Sequence, residues 1–197
     1  MLAHVAWAAN PPGTPASREA LAACEHADDV PAAERTAALE ASLARADEAI
    51  AADERDALAH FAAFCALGRL LRQGGIHLAA PFRLRRLRRE VDRTLELAPD
   101  FSDALAGKGS LLVSLPRLLG GDVLEGERCL RRALEIEPDY LTPRLTLVES
   151  LQARGAIDEA RVQATQALAI AERKGEREDA DTARKVLREL GPPSANP

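Results

Sequence analysis

Apolar residues recur at helical spacing along most of the chain. Leu39, Leu43, Ala46 and Ile50 stand at i, i+4, i+7 and i+11, which lines one face of a helix. Leu84, Leu87, Val91, Leu95 and Ala98 make a second stripe, and Ala180, Ala183, Leu187 and Leu190 a third. Helix breakers separate these stripes: Asp28-Asp29-Val30-Pro31, Gly74-Gly75, Pro99-Asp100, Gly120-Gly121, Gly155 and Gly191 followed by two prolines. Ser17 is the expected N-cap of a first helix reaching about His26. A third helix is expected from about Asp56 to Arg72 and a fourth from near Phe82. Asp122 with Glu125 three residues later has the form of a capping box. The pattern predicts an all-α chain of about nine helices and no strand. Residues 17–191 are read as a single helical domain between flexible tails at 1–16 and 192–197.

Composition supports helix. Alanine, leucine and arginine dominate, and aromatic residues are only 3%, which disfavours sheet. The net charge of −5 is uneven: residues 1–60 carry eleven acids and four arginines, so the remainder is net +2. A mildly acidic chain with so few aromatics lacks both the basic footprint and the stacking platforms of a nucleic-acid binder. No apolar run approaches the ~18 residues that cross a bilayer. The opening MLAHVAWAAN has no basic n-region. LAAC at residues 21–24 follows Pro15, Arg18 and Glu19 instead of an apolar segment. The expected compartment is therefore the cytoplasm, with the periplasm as the alternative. Cys24, Cys65 and Cys129 are widely spaced and odd in number. That argues for three semi-buried thiols and against a disulfide framework.

Two segments align with each other: LELAPDFSDALAGKGSLL and LEIEPDYLTPRLTLVESL. In both, a helix ends at Leu-Glu-x-x-Pro-Asp-aromatic and another begins. Gly155 falls in a turn, Ala160 and Ala167 fall where a second helix packs closely, and Pro138 closes the preceding unit after Ala133 and Leu134. Leu67-Gly68 or the pair Ala63-Phe64 fits the first-helix position of one unit, and Gly109 takes the glycine position of the next. Over residues 40–190 the sequence resembles the tetratricopeptide repeat (TPR) family. The resemblance implies a helical-hairpin solenoid and a binding function. Lys108, where the family has leucine, and Glu172, where it has a closing proline, depart from its pattern. SLPRLLGGD followed by a helix is also similar to the TPR-containing T component of TRAP transporters, which partners a periplasmic solute-binding protein.

Family spacing exposes two insertions. The repeat period is about 34 residues, yet Pro99 and Pro138 are 39 apart. The excess falls between Leu112 and Asp122, and RQGGIHLAAPFR lengthens the preceding hairpin. Both inserts are apolar: Ile76, Leu78 and Phe82 in one, Leu115, Leu118 and Leu119 in the other. A buried leucine contributes roughly 1.5–3 kcal/mol, so these side chains are expected to bury against one another as a satellite core and to line an insert pocket. Such a pocket would take a partner or a small hydrophobic or carboxylate solute.

No constellation of catalytic or metal-binding residues is present, and neither an enzyme nor a cofactor is expected. GKGS at residues 107–110 lacks the upstream glycine and the Ser or Thr of a phosphate loop. Cys24-x-His26 is half of a zinc site at most. His60, on an apolar helix face, reads as a core histidine. Arg83, Arg85, Arg86, Arg88, Arg89 and Arg93 read as a solvated helix face, with docking on the acidic N-terminal region or on an acidic partner as alternatives. By the TPR resemblance, a concave groove is lined by Cys65, Arg69 and Arg72, then Ala106, Ser110 and Val113, then Leu145, Glu149 and Gln152. Arg69, Arg72, Ser110, Glu149 and Gln152 are its expected partner-binding residues. The expected function is a non-catalytic protein-interaction scaffold. A TRAP-associated accessory protein is the alternative, and the oligomeric state stays open.

Overall fold

A computed structural model describes residues 11–74 and 80–191. Among them are nine α-helices and no strand: α1 (Pro15–Glu25), α2 (Arg35–Ala52), α3 (Ala57–Gly74), α4 (Ala80–Leu97), α5 (Ser102–Ser114), α6 (Val123–Ile136), α7 (Leu141–Ala153), α8 (Ile157–Lys174) and α9 (Arg177–Glu189). They fall into two compact units, residues 1–104 and 105–197, with the boundary inside α5. No described helix is long and apolar enough to cross a membrane.

In the first unit α1 packs on both α2 and α3, and α3 packs on α4. The α2 stripe turns inward as expected. Leu39 and Ala46 are fully buried, and Leu43 and Ile50 lie against them half-buried. Leu58, Phe61, Val91 and Phe101 build the centre, where the Phe61 and Phe101 rings meet edge to face at 4.6 Å. The N-cap of α1 is Thr14, not Ser17. The Thr14 hydroxyl accepts from the Ser17 amide at 3.1 Å, and the Ser17 hydroxyl is buried, donating to the Thr14 carbonyl. Thr14 wins because its own amide donates to Asp56 at 3.0 Å. Asp56 also accepts from the Ala59 amide and so ties the start of α3 to the start of α1.

The cysteines correct a sequence expectation. Cys24 of α1 and Cys65 of α3 form a disulfide across 41 residues of chain, and only Cys129 is a free, buried thiol. An odd count does not forbid one bridge. Packing of α1 on α3 brings together two cysteines whose spacing looks unrelated.

The second unit stacks α6 on α7, α7 on α8 and α8 on α9. Leu130, Leu147, Val148, Leu151, Ala160 and Ala164 form one core, and Leu141, Ala167, Ile170 and Ala183 another. The alanines let helices approach closely. Gly109 of α5 and Gly126 of α6 do the same: a Cβ on Gly109 would stand 2.7 Å from Leu130 Cγ and 2.9 Å from the Gly126 carbonyl. Asp122 caps α6, accepting from the Glu125 amide at 3.0 Å. The Glu125 carboxylate pairs with Arg128, and the Asp122 amide donates to Leu112 O at 3.1 Å.

Candidate functional site

The connection between α5 and α6 is a built turn. Arg117–Leu119 form a single 3₁₀ turn, and Gly120 leaves it at φ +79°. The Leu119 and Gly121 amides both donate to the Pro116 carbonyl, at 2.9 and 3.0 Å. Asp122 then returns the chain to Leu112. Gly121 lies so close to Leu115 that a Cβ there would meet its carbonyl oxygen at 1.7 Å, so only glycine fits. The turn holds its shape through backbone hydrogen bonds, and its apolar side chains point outward. Leu118 is 98% exposed and Leu124 65%, and Leu119 and Val123 are exposed beside them. The expected satellite core therefore does not form at Leu118 and Leu119, nor at Phe82 of the first unit, which is also exposed. A short turn satisfied by its own backbone offers these side chains nothing to pack on. Leu115 is half-buried, and Ile76 and Leu78 lie outside the described residues.

The first unit carries a charged cluster between α3 and α4. His60 Nδ1 lies 2.7 Å from Glu90 Oε2, and its Nε2 lies 3.2 Å from the Glu54 carbonyl. His60 and Glu90 are both buried. Arg86 and Arg89 also donate to the Glu90 carboxylate, at 3.3 and 3.2 Å, and Arg86 pairs with Asp47 of α2. The hydrogen bond to Glu90 raises the His60 pKa above its ordinary value. Burial acts to raise the Glu90 carboxyl, but the bonds from His60 and Arg89 hold it below the usual carboxylate range. His60 is thus a core histidine in a polar network. Arg86 does dock on the acidic N-terminal region. Arg85 and Arg89 remain exposed.

A second buried carboxylate had no signal in the sequence. Glu127 of α6, only 2% exposed, accepts from Ser150 Oγ at 3.0 Å, Arg154 Nε at 2.8 Å and Arg131 Nη1 at 3.2 Å. Arg131 also pairs with Glu159 of α8. A glutamate at the inner edge of an amphipathic helix looks like any surface glutamate until its partners on α7 are placed.

The expected groove residues have mixed surroundings. In the first unit the α3 face carries α1: Cys65 is bonded to Cys24, and Arg69 pairs with Asp28 at 3.1 Å. Arg72 is exposed. In the second unit Ala106 is buried, and Val113 and Leu145 pack on the two cores. Ser110 and Gln152 are half-buried, and Glu149 is exposed.

No protein-family model matches the chain, and no curated protein does. Solved structures do match. A thermophilic TPR protein of Thermus thermophilus, TTC0263, superposes with a TM-score of 0.62 at 21% identity, over 76% of this chain and 73% of that one. YrrB, described as a TPR protein with an unusual peptide-binding site, gives a TM-score of 0.47 at 19% identity, over 89% of this chain and 88% of that one.

Proposed function

We propose that this chain, which has the tetratricopeptide-repeat fold, is a non-catalytic protein-interaction scaffold that holds a partner at the apex between α5 and α6. The observation that carries the reading is the exposure of Leu118 and Leu119 on a turn locked by its own backbone, and of Val123 and Leu124 on the first turn of α6 that follows it. Exposed contiguous apolar side chains mark binding surfaces, and a preformed turn loses little entropy on association. Exposed Glu149 and half-buried Gln152 on α7, with Ser110 on α5, are the polar contacts we assign to the same partner.

The test is capture from native extract by wild type and by a Leu118→Asp, Leu124→Asp variant, alongside Glu149→Lys. Loss of the same captured protein by these variants, with helix content and melting unchanged, supports the reading. Equal capture by all of them overturns it.

A second reading, an accessory protein of a TRAP-type transporter that meets a solute-binding protein and a small hydrophobic or carboxylate solute, is favoured by one observation. The Cys24–Cys65 disulfide belongs in an oxidising compartment such as the periplasm. Capture of a periplasmic solute-binding protein supports it; capture of a cytosolic assembly sinks it.

A further inference from the structure

We propose that the exposed stripe of α4 in the first unit docks an acidic, extended segment of a partner protein, with Phe82 taking an apolar residue and Arg85 and Arg89 taking carboxylates. The inference rests on the scaffold reading and adds a second surface with its own partner chemistry.

Phe82, Arg85 and Arg89 stand at i, i+3 and i+7, so they share one helix face. All three are exposed, Phe82 at 78%. Residues 80–89 contain five arginines and no acid. Buried Glu90 takes Arg86 and one nitrogen of Arg89, and Asp47 takes Arg86. The Arg89 side chain stays 69% exposed, and a guanidinium has five N–H donors. Beside the stripe opens a cleft of about 720 Å³, lined by Arg85, Arg88, Arg89 and His60 among others.

The geometry sets the ligand's spacing. From Phe82 to Arg89 the helix rises about 10 Å, which an extended peptide covers in about three residues. The fitting segment carries one apolar residue with carboxylates within about three positions of it. A flat anionic bilayer fits less well. Asp47, Glu54, Asp92 and Glu96 line the same cleft, and a planar surface would meet them within the Debye length of about 8 Å. A strand laid along residues 82–89 covers the five arginines and stops short of Asp92 and Glu96, one and two turns further along the helix.

The probe is a fluorescein-labelled decapeptide of Asp and Glu carrying one Leu, with its Asn/Gln counterpart and phosphatidylserine-containing vesicles in parallel. Fluorescence anisotropy is expected to show salt-sensitive binding of the acidic peptide and none of the neutral one. Arg85→Gln with Arg89→Gln is expected to weaken binding by about tenfold or more. Phe82→Ala weakens it less, and Arg177→Gln on the second unit leaves it unchanged. Arg85→Gln alone, which leaves the Glu90 contact intact, guards against a folding artefact. No binding of the acidic peptide, equal binding by the arginine variants, or arginine-dependent binding of vesicles in place of the peptide overturns the proposal. If the apex variants still abolish partner capture in that case, only this surface falls. If they do not, the scaffold reading falls as well.

Discussion

His60 and Glu90 form a buried ion pair in which the imidazole faces two acceptors at once. Glu90 lies on Nδ1 at 2.7 Å and the Glu54 carbonyl on Nε2 at 3.2 Å. A neutral imidazole has one N–H and satisfies only one of them, so both contacts are made together only by the imidazolium.

This sets a pH dependence. The folded-state pKa of His60 is raised above its ordinary 6.5 by the hydrogen bond to Glu90, against burial. The stabilisation is therefore complete below about pH 6.5 and is lost as pH rises through the raised folded value. Glu90, held below its ordinary value, adds the opposite limb: its contribution is present above its unfolded value and lost as pH falls through the folded one. Thermal melts of wild type should show a loss of stability on the alkaline side that His60→Gln lacks. An identical alkaline slope in the variant would rule out His60 as its source.

Glu127→Gln should destabilise the second unit by about 1–3 kcal/mol, because a buried acceptor serving two arginines and a serine loses its charge. Urea unfolding measures this. A matched Glu159→Gln, whose carboxylate is half-exposed, should cost less.

Gly109→Ala should cost about 1–3 kcal/mol by overpacking, since its Cβ meets Leu130 and the Gly126 carbonyl below 3 Å. Gly155→Ala meets nothing within 4 Å, yet Gly155 sits at φ +79°, so its cost of about 1–2 kcal/mol is backbone strain alone. Repacking by Leu130→Ala should partly rescue the first variant and leave the second untouched.

Thiol counting tests the bridge. Denatured, unreduced protein should show one reactive thiol, Cys129, and three after reduction. In the native state burial pushes the Cys129 thiol up and it should react slowly. Cys24→Ser should lower stability by about 2–4 kcal/mol. Three thiols without reductant would show that α1 and α3 are held by packing alone.

The helical architecture was written in the chain. Stripes such as Leu39–Leu43–Ala46–Ile50, stops such as Gly155, the Asp122 cap and the paired Pro-Asp-aromatic ends are local signals, set by backbone geometry within a turn or two. Both the helix count and the repeat resemblance followed from them. What depends on distant partners was not written there. The Cys24–Cys65 bridge, the Thr14 cap held by Asp56, and the burial of Glu90 and Glu127 each join residues that only packing makes neighbours. The apolar inserts show the same limit from the other side. The sequence marks Phe82, Leu118 and Leu119 as hydrophobic, and hydrophobicity argues for burial. Whether a burial site exists is decided by where the neighbouring backbone runs, and at these three positions it leaves the side chains facing water.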